Sequence, residues 1–420
     1  MLKLIFNKHK NYLIIFDQGF VSIFNFFFVI FLIKEIGLES FGIYSMLWII
    51  VLLSLSIQQA LIISPLYSLG PFYIDKKLKN FYGSLIFQNL LLILTISILA
   101  FLILKLCISF GIEYFQNVNL FLLCTTIFFV SFQNFLKRLF FSQKKNINGA
   151  LCNLLSYIFL ILLLIDSHLK NTLDINYILQ SYSISFFLGC LFGLKNLKET
   201  NFDININLFF FKENWKISKW IFFSNTLYWF SGYFWTIILG LIVSPSLVAV
   251  VRACTTLAYS VNVLYQALEN IIPSNISEHL KLKGLKKTHF HIKKLCRDYF
   301  IISLMFSILV GTFSDKIVFT IYGETLLNYT YVLIFFCLLN IINCFQYPIT
   351  AGLRSLKNTK PLFNSYLVAS LFTLIFAYPF ISMFHLKGFI IGLFLNQLIL
   401  IISLIFGYYK IIKKNLNQKI

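Results

Sequence analysis

The sequence predicts an all-α polytopic membrane protein with about 12 transmembrane helices, arranged as two parallel six-helix lobes around a central cavity. Three observations predict this fold: the composition, a series of apolar windows, and the distribution of Lys and Arg between them. Hydrophobic residues make up 59% of the chain and charged residues 12%, with a mean hydropathy of +0.83. Soluble proteins average about 25% charged residues, so this composition is typical of a chain that crosses a bilayer many times.

Windows of about 20 apolar residues define the predicted spans. They cover residues 11–33, 41–64, 82–106, 118–141, 147–165, 175–194, 217–242, 247–272, 299–319, 328–350, 362–384 and 388–409.

The positive charges give the orientation of these spans. With the amino terminus in the cytoplasm, the inner segments hold 29 of the 35 Lys and Arg residues, the outer segments hold five, and Arg252 lies within a span. Because Lys and Arg concentrate on the cytoplasmic side of membrane proteins, both termini are predicted to be cytoplasmic. The basic residues that give the net charge of +20 lie between the spans and not on one folded face. This charge therefore does not indicate nucleic-acid binding.

A basic segment, 195–216, divides the spans into an amino-terminal lobe, 1–194, and a carboxy-terminal lobe, 217–420. Three short matches recur across this linker at similar offsets: 59–61 with 266–268, 132–133 with 345–346, and 145–146 with 357–358. Each match is short, but the similarity of the three offsets favours a duplicated lobe. Both lobes begin in the cytoplasm, so the repeats are predicted to be parallel.

The first span contains an aspartate, Asp17, within an apolar run. A carboxylate at mid-helix costs about 2.5–3.5 kcal/mol in a bilayer and normally faces water or a partner. A helical step of about 100° per residue places Gln18, Ser22 and Asn25 on the same face. This face is therefore predicted to line a polar environment.

After a turn at 34–40, a second span carries Gln58 and Gln59 near its end and reaches Pro65. The order of residues over 15–71 resembles the start of the Wzx-like oligosaccharide translocases of the multidrug/oligosaccharidyl-lipid/polysaccharide exporter superfamily. The residues that carry the resemblance are Asp17-Gln18, Ser22, Asn25-Phe26, Gly37-Leu38-Glu39, Phe41-Gly42, Tyr44-Ser45, Trp48, Gln58 to Ile62, Ser64-Pro65 and Ser68 to Pro71. Outside 15–71, only helix number and charge pattern agree with that family.

This resemblance implies a flippase in a bacterial cytoplasmic (inner) membrane. Its substrate would be an undecaprenyl-pyrophosphate-linked repeat unit, moved to the outer leaflet for O-antigen (lipopolysaccharide), capsule or exopolysaccharide synthesis. It also implies membrane lipids, a polysaccharide polymerase and a chain-length regulator as partners. Either H⁺ or Na⁺ could be the coupling ion, and no cofactor is expected.

The eighth span, 247–272, carries a polar stripe about 140° wide. Its members are Arg252, Thr255, Thr256, Tyr259, Asn262, Gln266, Glu269 and Asn270. Helix–helix hydrogen bonding, worth about 0.6 kcal/mol per residue, is one explanation. A cavity lining is favoured because Arg252 and Glu269 are expensive in a membrane.

Two further spans show weaker stripes. One holds Asn340, Asn343 and Gln346, and the other holds Thr126, Gln133 and Lys137. For Lys137 and Arg138, interfacial anchoring by long side chains is the preferred interpretation. The predicted substrate or cavity residues are Asn25, Gln59, Gln133, Arg252, Thr256, Tyr259, Asn262, Gln266, Asn343 and Gln346, and the predicted ion-coupling residues are Asp17 and Glu269.

Catalysis and ATP-driven transport are disfavoured, because the sequence contains no phosphate-binding Gly loop, nucleophile elbow or H-E-x-x-H motif. A MATE-type antiporter for small cations or drugs is the main alternative, and it would be expected to have an acidic cavity. A membrane glycan polymerase is a more distant alternative, because the predicted outer loops are short.

Overall fold

The computed structural model describes residues 12–197, 204–262, 265, 272–356, 358 and 360–417. These residues form an all-α structure without strands. The helices are α1 (Tyr12–Gln58), α2 (Ser64–Leu69), α3 (Asp75–Ser109), α4 (Leu120–Ser142), α5 (Asn146–Lys170), α6 (Ile175–Lys195), α7 (Ile204–Ile242), α8 (Pro245–Ala258), α9 (Ile272–Thr312), α10 (Ser314–Tyr322), α11 (Thr330–Asn343), α12 (Gln346–Ser355) and α13 (Lys360–Asn417).

Among the described residues, eight helical segments are long and apolar enough to cross a membrane. Two of them, Phe16–Phe72 and Lys360–Lys414, each contain two predicted spans. The first is interrupted at Gly37 (φ 77°) and the second at His385 (φ 50°). These interruptions lie where the sequence predicts turns, and every predicted span overlaps a helix.

Polar residues begin several of these helices. The Asn119 side chain accepts a hydrogen bond from the Phe121 amide at 3.0 Å at the start of α4, and Asp174 accepts one from Tyr177 at 2.7 Å at the start of α6. Ser244 caps α8, whose first residue is Pro245. Such residues satisfy amides that have no partner within the helix, so these starts are encoded locally.

Contact clustering divides the described residues into two compact units. The N-terminal unit contains 12–17 and 35–229, and the C-terminal unit contains 18–34 and 230–417. The two predicted lobes, 1–194 and 217–420, with their linker, stay a prediction.

Small residues allow close helix packing within the N-terminal unit. A Cβ atom on Gly189 of α6 would overlap Ser156 Oγ of α5 and approach the Cys152 carbonyl oxygen to 3.0 Å. Thr126 Oγ1 of α4 donates a 2.9 Å hydrogen bond to the Leu179 carbonyl oxygen of α6. Small residues and hydroxyl groups are the usual contacts between helices in membranes, and here they pack α4, α5 and α6 together.

In the C-terminal unit, α7 packs on α13 around a buried tryptophan. Trp235 Nε1 donates a 3.0 Å hydrogen bond to Thr373 Oγ1. Asn396 Nδ2 donates a 2.8 Å hydrogen bond to the Ser231 carbonyl oxygen. Gly392 lies directly against the Trp235 ring, where a Cβ would not fit.

Candidate functional site

The N-terminal unit contains a buried charged cluster, the Asp17 cluster, formed by Asp17, Lys137, Asn153 and Gln133. Lys137 Nζ lies 3.4 Å from Asp17 Oδ2. Asn153 Nδ2 donates a 2.5 Å hydrogen bond to Asp17 Oδ1, and Gln133 Nε2 donates a 3.2 Å hydrogen bond to Asn153 Oδ1. The cluster joins α1, α4 and α5.

Water has little access to this cluster. The Asp17 side chain is 3% exposed and the Lys137 side chain 13% exposed, while Gln133 and Asn153 are buried. A buried carboxylate requires an opposite charge and hydrogen-bond donors. Lys137 and Asn153 supply them, so the local charge of the cluster is balanced.

A second buried network in the same unit centres on Gln58. Its Nε2 donates to Asn89 Oδ1 at 2.9 Å and to the Ser131 carbonyl oxygen at 2.6 Å. Its Oε1 accepts a 2.8 Å hydrogen bond from Asn134 Nδ2. The network links the end of α1 to α3 and α4.

The structure places several predicted residues of this unit and corrects one interpretation. Asp17 and Gln133 lie in the same cluster, linked through Asn153, and their predicted roles stay predictions. The interpretation of Lys137 as an interfacial anchor is wrong, because its ammonium group is buried beside Asp17. Gln59 lies at the start of a π-helical turn, Gln59–Ile63, and its neighbour Gln58 makes the buried hydrogen bonds instead.

Sequence reasoning missed Gln58, Asn89 and Asn153 as site residues. All three are amides within apolar spans, and that is the signal that could have identified them. Asn25 is half-buried in the segment 18–34 of the C-terminal unit.

The C-terminal unit holds a second group of predicted residues, on α8 and α11 and in the turn after α8. The Asn343 side chain lies beside the Tyr259 hydroxyl, and the Tyr259 ring meets Phe336 edge-on at 5.9 Å. Tyr233 of α7 lies near both Arg252 and Tyr259. Arg252, Tyr259 and Asn343 are therefore part of one aromatic and polar region.

The predicted continuous eighth helix is wrong. Helix α8 ends at Ala258, and Tyr259–Val261 form turns. The helical stripe therefore holds only for Arg252, Thr255 and Thr256, where both threonine hydroxyls donate to the Arg252 carbonyl oxygen, at 2.9 and 2.8 Å. Gln266 and Glu269 lie outside the described residues.

Three of the predicted or neighbouring asparagines on α11 and after α8 have buried polar atoms without a hydrogen-bond partner, as does Asn396 of α13 at Oδ1. The three are Asn262 (Oδ1), Asn340 (both side-chain polar atoms) and Asn343 (Oδ1). Gln346, by contrast, donates a 3.4 Å hydrogen bond to the Tyr366 hydroxyl. Buried unpartnered amides are costly, so these asparagines have free capacity to bind polar groups such as water or hydroxyls.

The charges of the two regions differ. Asp17 is paired with Lys137, whereas among the described residues Arg252 forms no salt bridge with an acidic side chain. The Asp17 cluster is therefore balanced in charge, and the described part of the Arg252 region is cationic. The predicted central cavity and the cytoplasmic location of the termini remain predictions.

Comparison with known proteins identifies the fold. No family model matches the sequence, and no curated protein matches it. Among solved structures, the chain resembles an inward-facing multidrug resistance MATE family transporter of the MOP superfamily, with TM-score 0.74, 14% identity and coverage of 98% of both chains.

Two further solved structures extend this comparison. The lipid II flippase MurJ in an inward closed conformation matches with TM-score 0.72 and 16% identity, over 93% of this chain and 86% of that one. A MOP superfamily transporter from Pyrococcus furiosus, described as having a binding pocket of reversed polarity, matches with TM-score 0.67 and 13% identity, over 98% and 97%. At these identities the likeness shows the fold, so the prediction of an all-α, MATE/MOP-like architecture is confirmed.

Proposed function

We propose that this protein is a flippase that moves undecaprenyl-pyrophosphate-linked oligosaccharide repeat units from the cytoplasmic to the outer leaflet by alternating access. The product would serve O-antigen, capsule or exopolysaccharide synthesis. The proposal combines the resemblance of residues 15–71 to the Wzx-like translocases with a fold that is shared with a lipid II flippase.

The choice of an anionic cargo rests on one observation, the charge that remains after the buried ion pair is counted. Lys137 neutralises Asp17, and among the described residues Arg252 has no acidic partner. The intramembrane charge that these regions offer a ligand is therefore positive. A pyrophosphate carries negative charge, and guanidinium groups bind phosphate oxygens through charge-assisted hydrogen bonds.

The sugars of such a cargo need hydrogen bonds when they leave water. Asn262, Asn340 and Asn343 have buried amide atoms without partners, and an amide can both donate to and accept from a sugar hydroxyl. In this proposal Arg252 binds the anionic headgroup, and these asparagines bind hydroxyls. Asp17 takes part in coupling to H⁺ or Na⁺, because its carboxylate exchanges the ammonium group of Lys137 for the coupling ion.

The test is made in cells that lack the gene and carry it on a plasmid. Lipid-linked repeat units should accumulate on the cytoplasmic leaflet without the protein, and the wild-type gene should restore glycan display. We expect Arg252→Ala to lose display while inserting normally and Arg252→Lys to retain part of it. Arg354→Ala, which removes an exposed arginine at the end of α12, is the matched control. Full display with Arg252→Ala would refute the assigned role of Arg252.

A MATE-type ion-coupled antiporter is the second candidate, because the solved structures that the chain resembles include multidrug transporters and Asp17 is a buried carboxylate. The balanced charge of the Asp17 cluster disfavours a cationic substrate. Proteoliposomes that take up a cationic dye under an H⁺ or Na⁺ gradient, but do not flip lipid-linked sugars, would favour the antiporter. For either function, unchanged ion dependence in Asp17→Asn would exclude Asp17 from coupling.

A further inference from the structure

A pocket of about 650 Å³ lies beside the break in α9 at Gly284. It belongs entirely to the C-terminal unit and is separate in sequence from Arg252. Three histidines, His279, His289 and His291, line it together with four lysines. The proposed function uses none of these residues.

The histidines are held in place by the fold. The rings of His279 and His291 stack with centroids 4.8 Å apart and planes 12° apart. His279 Nδ1 lies 3.3 Å from Thr288 Oγ1, and His289 Nδ1 lies 3.0 Å from the Tyr408 hydroxyl of α13. The pocket wall therefore connects both parts of α9 with α13.

The lysines concentrate positive charge at the pocket. Lys286 and Lys287 lie in the first turn after Gly284, and Lys293 and Lys294 lie about two turns further along the same helix. The amino-terminal end of a helix is already positive, so lysines there are unfavourable unless an anion is bound. Asp298 is the described acidic side chain that acts on His291, and Arg297 already pairs with it at 3.1 Å.

Two large apolar side chains next to these lysines face solvent. Leu282 is 74% exposed and Phe290 is 73% exposed. Basic residues interleaved with exposed apolar residues are typical of a surface at the boundary between lipid headgroups and acyl chains. Phe290 also lines the pocket, so the positive pocket opens beside a surface that suits acyl chains.

We propose that this histidine–lysine pocket binds the phosphate headgroup of an anionic membrane lipid. The lysines bind phosphate oxygens, the histidines donate further hydrogen bonds, and Leu282 and Phe290 contact the acyl or prenyl chain. Two sources share this chemistry: an anionic phospholipid and the pyrophosphate lipid that carries the sugar. Only the second source rests on the proposed function.

Equilibrium binding by the full-length protein in detergent tests this site without transport. The probes are phosphatidylglycerol and undecaprenyl pyrophosphate, both followed by native mass spectrometry, and inorganic pyrophosphate, followed by calorimetry. The variant Lys286→Gln/Lys287→Gln should weaken binding of at least one lipid about tenfold or more, because each charged contact with phosphate is a strong one. Lys76→Gln/Lys79→Gln removes the same charge from exposed lysines outside the pocket and should bind the lipids as the wild type does.

The two lipids distinguish the sources, since loss for phosphatidylglycerol alone identifies a phospholipid site and loss for undecaprenyl pyrophosphate identifies a cargo site. Equal lipid binding by the wild type and the pocket variant overturns the proposal, as does a loss confined to inorganic pyrophosphate. If the first variant does not fold, Lys293→Gln/Lys294→Gln provides an independent version of the measurement. A failed transport assay would leave this result intact, so the two proposals can fail separately.

Discussion

Replacement of Lys137 by Met tests whether the Asp17 cluster stabilises the protein as a charge pair. Lys137→Met keeps an unbranched side chain of similar length but leaves the Asp17 carboxylate buried with the Asn153 amide as its remaining partner among the described residues. We expect the free energy of unfolding to fall by about 3–5 kcal/mol, the cost of breaking a buried pair by removing one partner.

The short distance between the two charged groups supports a loss of this size. At the 3.4 Å separation of Lys137 Nζ and Asp17 Oδ2, Coulomb's law with an effective dielectric constant of about 20 gives roughly 5 kcal/mol of attraction. Desolvation of both groups offsets much of it. The double variant Asp17→Asn/Lys137→Met buries no unpaired charge. Its decrease in the free energy of unfolding should therefore be smaller than the sum of the decreases in the two single variants, by about 0.5–3 kcal/mol.

The measurement is reversible unfolding of the purified variants in mixed detergent micelles, evaluated as a double-mutant cycle. Lys170→Met is the matched control. Its ammonium group pairs with Asp166 at the shorter distance of 2.8 Å, but the two side chains are 63% and 48% exposed. Exposed pairs contribute little, so the control should unfold like the wild type. Strictly additive losses in the cycle, or equal losses in Lys137→Met and Lys170→Met, would refute the reasoning.

Three further predictions concern packing and hydrogen bonding, each measured by the same unfolding assay. Gln58→Leu should cost about 2–4 kcal/mol, because it removes the partner of the buried Asn89 Oδ1 and of Asn134 Nδ2; a neutral result would show that water replaces the amide. Gly189→Ala should destabilise by more than about 1 kcal/mol through overlap with Ser156, while Gly19→Ala, which meets nothing within 4 Å, should not; equal effects would contradict the packing argument. Trp235→Phe should cost about 1–3 kcal/mol by leaving Thr373 Oγ1 without the indole donor, and a similar loss in Thr373→Val would support this origin.

The sequence predicts the membrane spans well because each is a local property of about 20 residues. The break at Gly37 falls in a predicted turn, and glycine tolerates its positive φ. The end of α8 at Ala258 was not predictable in the same way. Residues 246–262 contain neither Gly nor Pro, so no local signal marks the end of the helix.

The candidate site shows the same division between local and distant information. That Asp17 needs a polar partner follows from its place in an apolar run, but that partner, Lys137, is 120 residues away along the chain. No pattern within one helix can pair these residues. The choice between Gln58 and Gln59 depends on a π-helical turn that begins at Gln59, and a helical wheel with a constant step does not contain such a turn.

The π-helical turn Gln59–Ile63 also determines how the chain leaves the first pair of helices. A π turn accommodates one residue more than an α-helical turn, so everything after Ile63 is out of phase with α1 by one position. If this turn were regular α-helix with all five of its residues retained, Pro65–Leu69 would rotate by about 100°. Tyr67, whose hydroxyl donates to the Arg138 carbonyl oxygen at 3.3 Å, would point elsewhere. The extra residue is thus accommodated without changing the surface of α2 that meets α4, and a single-residue deletion here should leave that surface in place.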